Sequence, residues 1–202
     1  MKRFRSVLLA PIVFALAMAF APAAFAGEAQ DYVQARHAEL TNVLKQPASP
    51  ARAQRLGALL DSMIDFDSIV DQSLGNNKEG RSAEELKEFH DLLQKLIKRN
   101  YERNIQKTLD YTVSYDGEDP GTEGVVVHTK AQKKKADGDT DILSIDYRLH
   151  QKDGHWIVFD IVTENSSMVN NYKNQFNKTI RKDGWNGLIS KLKHKLAERD
   201  SD

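Results

Sequence analysis

The sequence predicts an α+β protein in which an antiparallel meander of about four strands is faced by helices. Three observations predict it. Apolar residues recur at helical spacing near both ends of the chain, a two-residue alternation replaces that period between them, and Asp-Gly pairs at Asp137-Gly138 and Asp153-Gly154 punctuate the alternating stretch as hairpin turns. Helices, then strands, then helices place a sheet against helices.

Residues 1–26 carry Lys2, Arg3 and Arg5, an apolar run from Val7 to Phe20 and an A-x-A pair at Ala24 and Ala26. This is the pattern of a secretory signal cut after Ala26. Pro11 and Pro22 interrupt the run, which falls short of the roughly 20 residues that span a bilayer. The expected mature chain therefore starts at Gly27, and residues 27–202 are expected to form a single domain. Tyr32, Val33, Leu40, Val43 and Leu44 mark a first helix over 29–44, stopped by Pro47-Ala48-Ser49-Pro50. Leu56, Leu59, Leu60 and Met63 mark a second over 51–64, and a short third runs from Asp65 to Leu74 before Gly75. Ser82 with Glu85 three residues on is a capping box. It opens the strongest helix, whose stripe is Leu86, Phe89, Leu93, Leu96, Ile97, Tyr101 and Ile105, with an end expected near Leu109.

Leu143, Ile145, Tyr147 and Leu149 alternate with Ser144, Asp146, Arg148 and His150, as in a half-buried strand. Tyr111 to Tyr115 and Val125 to Val127 are shorter strand candidates, and Trp156 to Val162 is apolar on both faces and expected to be covered on both. Ser166 or Ser167 caps a further helix bearing Met168, Val169, Tyr172, Phe176 and Ile180 and ending near Gly184. Trp185, Leu188, Ile189, Leu192 and Leu196 mark the last helix, and a charged end follows from Ala197 to Asp202.

Composition excludes several functions. The chain has 202 residues, no cysteine, and 29 basic against 29 acidic residues. Once the three cations of the leader are set aside, residues 27–202 carry a formal charge of −3, which gives no footprint for nucleic acid. Disulfides and a lipidated cysteine anchor are impossible. There is no G-x-S-x-G elbow, no glycine-rich phosphate loop and no H-E-x-x-H. Of the six histidines, only His150 and His155 are close in sequence, across a turn, and they read as hairpin residues better than as metal ligands. Asp137, Asp139 and Asp141 begin like a calcium loop, but Ile142 stands where its glycine belongs and Arg148 where its glutamate belongs. Asp65 and Asp67 read as helix-capping acids. Asp160 sits inside the most apolar strand, where an acid either hydrogen-bonds at the strand's exit or serves as a buried base.

From Phe159-Asp160-Ile161-Val162-Thr163-Glu164-Asn165 through Ser166-Ser167-Met168-Val169 to Tyr172 and Phe176, the chain resembles the MlaC family of periplasmic phospholipid-binding proteins, also called the toluene-tolerance auxiliary family. Arg181-Lys182-Asp183-Gly184-Trp185-Asn186-Gly187-Leu188 is similar to the family's basic-x-Gly-x-x-Gly-Leu segment. Phe66-Asp67-Ser68-Ile69, Ser73-Leu74-Gly75 and Glu84 to Phe89 extend the resemblance over nearly all of 30–196. Asn165 stands where the family commonly has Gly, and Asn tolerates the left-handed backbone that such a corner needs.

The resemblance implies a periplasmic carrier that buries acyl chains between a mixed sheet and helices. It implies shuttling of lipid between an outer-membrane lipoprotein–porin complex and an inner-membrane transporter of the ATP-binding-cassette type, to maintain outer-membrane lipid asymmetry. No cofactor is implied, the bound phospholipid being cargo, and the carrier is expected to be monomeric and not an enzyme. The long helix and the Met168–Ile180 helix would then lie over the sheet without closing on it. Leu93, Leu96, Ile97, Tyr101, Val126, Ile145, Tyr147, Val158, Met168, Val169, Tyr172 and Phe176 would line the gap. Two alternatives stand beside it: an enzyme of cone-shaped α+β fold with Asp160 as base on an apolar substrate, and an exported module that binds protein through an apolar groove.

Overall fold

The computed structural model describes residues 27–107 and 109–198. The expected signal segment lies outside them, as do residues 199–202 of the charged end. Helix α1 spans Glu28–Leu44, α2 Pro50–Met63, α3 Phe66–Leu74 and α4 Ala83–Lys107. Strands β1 (Thr112–Gly121), β2 (Gly124–Lys134), β3 (Thr140–Lys152), β4 (His155–Thr163) and the two-residue β5 (Ser166–Ser167) follow, and α5 covers Met168–Ala197. All pair antiparallel in the order β1-β2-β3-β4-β5. The mixed sheet implied by the resemblance is thus corrected to an antiparallel one, with an isolated parallel bridge between Ile64 and Val158 outside the strand pairings. The expected four strands become five.

Local chemistry explains most boundaries. Ser49 accepts the Arg52 N–H ahead of Pro50 at the start of α2, and Asp65 accepts the Ser68 N–H at the start of α3. Ser82 and Glu85 exchange both bonds of the capping box, at 2.9 and 3.2 Å. α4 ends at Lys107, two residues before the expected Leu109. Gly184, with φ 71° and ψ −177°, breaks the helical path inside α5, so the two expected helices are two arms joined at a kink. Asp153 and Gly154 both have positive φ, as a two-residue hairpin turn requires.

β1 is far longer than Tyr111 to Tyr115. It continues past a bulge between Tyr115 and Gly117 to pair Pro120 with Val125. Proline is tolerated there because β1 is an edge strand. Gly124 is obligatory at the start of β2: φ is 138°, and an added Cβ would sit 2.0 Å from the Leu149 carbonyl oxygen.

Two apolar clusters hold the molecule. The larger joins α1 to α5 around Phe89, Leu93, Phe176 and Trp185, where the Phe89 ring lies 5.3 Å from that of Phe176 and 5.6 Å from that of Trp185. The smaller packs Ala29 and Val33 of α1 on Val127, Tyr147, Leu149 and Val158 of the sheet.

Candidate functional site

Strand pairing sets one face of the sheet. Val127 faces Tyr147, Thr129 faces Ile145 and Ala131 faces Leu143, and side chains on alternate positions of a strand share a face. The second half of α4, the first turns of α5 and the far end of its second arm border the space above this face without filling it. The result is a cavity of about 850 Å³, within the roughly 300–1,000 Å³ of small-molecule sites. Ala131, Leu143, Ile145, Tyr147 and Ile161 form its floor, Leu96, Ile97, Tyr101 and Ile105 one wall, and Met168 and Tyr172 another. The wall also carries polar groups that sequence reasoning did not select: His37 of α1, and Arg99, Asn100, Arg103 and Asn104 on the flank of the α4 stripe. Helical spacing of those positions places them beside Leu96 and Tyr101, but their polarity conceals it.

The interior is poor in water-like surroundings, and its tyrosines and His37 register this. Burial pushes the Tyr147 hydroxyl up to about 12. Burial, with Tyr147 as neighbour, raises Tyr101 well above the usual tyrosine range. Burial lowers His37, which therefore stays neutral at pH 7 and shares a 3.0 Å hydrogen bond with the Tyr115 hydroxyl. Burial also raises Tyr172, against a smaller opposing effect of a hydrogen bond from Asn100. The apolar floor favours uncharged matter, while Arg99 and Arg103 put charge on the wall.

A family model described as MlaC protein matches residues 34–194. The chain belongs to the MlaC family. Its fold is similar to that of a solved phospholipid-binding protein from Ralstonia solanacearum, determined in complex with a phospholipid. The two share 23% identity at a TM-score of 0.67, over 84% of this chain and 97% of that one. No curated protein matches the sequence.

Within this MlaC-family fold, Leu96, Ile97, Tyr101, Ile145, Tyr147, Met168 and Tyr172 of the expected lining border the cavity. Leu93, Val126, Val158, Val169 and Phe176 do not. Leu93, Val169 and Phe176 are filled core of the helical cluster, and Val158 belongs to the smaller cluster under α1. Val126 is the neighbour of Val127 in β2 and so points to the sheet's opposite face, beside His128, which bonds Asp146 there at 3.0 Å.

Asp160 is 2% exposed and is not part of the cavity wall. Its Oδ2 accepts the Ser167 hydroxyl at 2.6 Å and Arg148 Nη1 at 3.2 Å, and its Oδ1 accepts the Val169 N–H at 3.0 Å. Ser167 in turn accepts the Asn170 N–H, capping α5. The carboxylate thus ties β4 to the first turn of α5 across a corner where Glu164 and Asn165 both take positive φ. Of its two expected roles, this geometry is the hydrogen-bonding one.

Asp65 behaves similarly outside the cavity. Burial would raise it, but the Ser68 N–H, Lys152 and His150 outweigh that and hold it below the usual carboxylate range. His150 Nε2 lies 2.9 Å from Asp65, with its ring stacked 5.0 Å from Phe159. Among the described residues no group of three His, Asp or Glu side chains is placed to hold a metal ion, and no helix is long and apolar enough to cross a membrane.

Proposed function

We propose that this MlaC-family chain is a phospholipid carrier that holds acyl chains in the cavity between the sheet and helices α4 and α5. The observation that carries the reading is a space of about 850 Å³ floored by Leu143, Ile145, Tyr147 and Ile161, in a chain whose fold is similar to that of a phospholipid-bound protein. Two acyl chains with about 30 methylenes at about 0.8 kcal/mol each cost on the order of 24 kcal/mol to expose to water. A carrier must hide them, and the apolar floor of the cavity suits that task. Met168 adapts to chains of variable shape, and Tyr101 and Tyr172 combine apolar rings with hydroxyls.

The finer reading is a soluble periplasmic protein, exported by its leader and cut after Ala26. It passes lipid between an outer-membrane lipoprotein–porin complex and an inner-membrane ATP-binding-cassette transporter, and so maintains lipid asymmetry. No covalent step is required. The lipid moves along an affinity difference when a partner opens the cavity, and the energy comes from the transporter.

The test is purification from Gly27 onward without detergent, solvent extraction and mass spectrometry of bound lipid. Stoichiometric phospholipid is expected, and Tyr172→Glu should lower the occupancy while the fold persists. A reproducibly empty protein that also takes up no phospholipid from vesicles would overturn the proposal.

A further inference from the structure

Helix α1 begins beside Gly27, whose φ of 97° is left-handed and which offers no side chain to cap the helix. The first N–H groups of a helix have no partner within it. Here the partner comes from strand β1. Glu118 Oε1 accepts the Gly27 N–H at 2.9 Å, and Oε2 accepts the Gln30 N–H at 2.7 Å. Gly27 is also the residue after Ala24-Phe25-Ala26, where the leader is expected to be cut.

We propose that Glu118 is the receiving site for the processed N-terminus. An export peptidase that adds water across the Ala26–Gly27 bond releases Ala26 as a carboxylate and Gly27 as an amine, which is protonated at neutral pH. The nitrogen that was a neutral amide 2.9 Å from Glu118 becomes an ammonium group beside that carboxylate. Processing thereby creates an ion pair that the precursor lacks. The inference rests on cleavage at this bond and is independent of the lipid reading.

The charge balance favours the arrangement. An ammonium group alone at a helix N-terminus opposes the positive end of the helix dipole. Glu118 offsets both charges while its second oxygen still caps Gln30, and charge-assisted hydrogen bonds are roughly twice as strong as neutral ones. What is held is a working part of the fold. Ala29 and Val33 of the same helix pack on Val127, Leu149 and Val158. Further along α1, His37 borders the cavity and bonds Tyr115. Glu118 thus fastens the N-terminal end of the helix that closes this side of the sheet.

The test compares chains released by a site-specific protease so that they begin at Gly27 or one residue earlier at Ala26, each with Glu118 or with Glu118→Gln. Residues 27–198 hold every element among the described residues. The readout is amide hydrogen exchange in α1. With the chain starting at Gly27, Glu118→Gln should speed exchange on the order of tenfold, the scale of a lost ion pair added to a weakened helix cap. With the chain starting at Ala26, the change should be only about twofold to threefold, because the ammonium group is displaced and only the carboxylate's bonds to two amide N–H groups are weakened. Equal effects in both chains, or none in either, would overturn the ion pair. Mass spectrometry of the exported protein tests the cut separately: a terminus other than Gly27 would refute the processing step while leaving the exchange result to report on Glu118 as a helix cap.

Discussion

The two halves of α4 meet different surroundings. In the first half, Phe89 and Leu93 are fully buried among Phe176, Trp185 and the neighbouring helices. In the second half, Tyr101 and Ile105 continue the same stripe but face a cavity on the far side of which lies the sheet. The apolar pattern is the same, while the partner is dense side chain in one case and open volume in the other. Since a close-packed interior punishes every missing atom and a cavity wall does not, equal truncations in the two halves should have unequal costs.

The largest effect is expected at Phe89. Phe89→Ala deletes a ring in edge-to-face contact with Phe176 and close to Trp185, leaving a void that cannot collapse around three helices. Urea denaturation should show a loss of about 3–5 kcal/mol. A loss below about 1 kcal/mol would mean that this half is no more closely packed than the other.

Asp160→Asn comes next. It replaces a buried carboxylate oxygen by an amide that cannot accept from Ser167, Val169 and Arg148 together. A loss of about 2–3 kcal/mol is expected by the same method, with phospholipid occupancy retained in the folded protein. Loss of a turnover activity with stability unchanged would instead revive the enzyme alternative.

Ile145→Ala tests the open half directly. The residue sits on the cavity floor, so its deletion enlarges an existing space and forfeits mainly the transfer term of a half-buried side chain, about 1 kcal/mol. If urea denaturation instead gives a cost like that of Phe89→Ala, the space over the sheet is filled in solution by other side chains and the contrast fails.

How far the sequence reveals this contrast depends on the residue. The capping box at Ser82, the Asp153-Gly154 turn and the break at Gly184 are readable because each depends on local backbone chemistry. The second half of β1 is not readable, since Asp116-Gly117-Glu118-Asp119-Pro120-Gly121 is written in turn residues. Only pairing with β2 makes it a strand. Val125-Val126-Val127 is apolar at both parities, so it needs the partner Tyr147 to decide which valine faces inward. Leu93 and Leu96 show the deeper limit. Periodicity reports that both face inward, but whether inward means core or cavity depends on how far α4 stands from the sheet, a long-range property that no window of residues contains.

The smallest effect sharpens the comparison from the cavity side. The Tyr147 hydroxyl, pushed by burial from the usual tyrosine value up to about 12, favours the neutral phenol in the folded chain. An unfolded chain ionises first, so this contribution to stability is complete below pH 10 and is lost as pH rises from 10 towards 12. Tyr147→Phe should cost only about 0.5 kcal/mol at pH 7 yet flatten the alkaline fall in stability over that window. Phenolate absorbance should show Tyr147 among the last tyrosines to ionise. Bound phospholipid should delay its ionisation further, because acyl chains replace the water that would solvate the phenolate, whereas a residue of the filled half such as Phe89 has no water to lose.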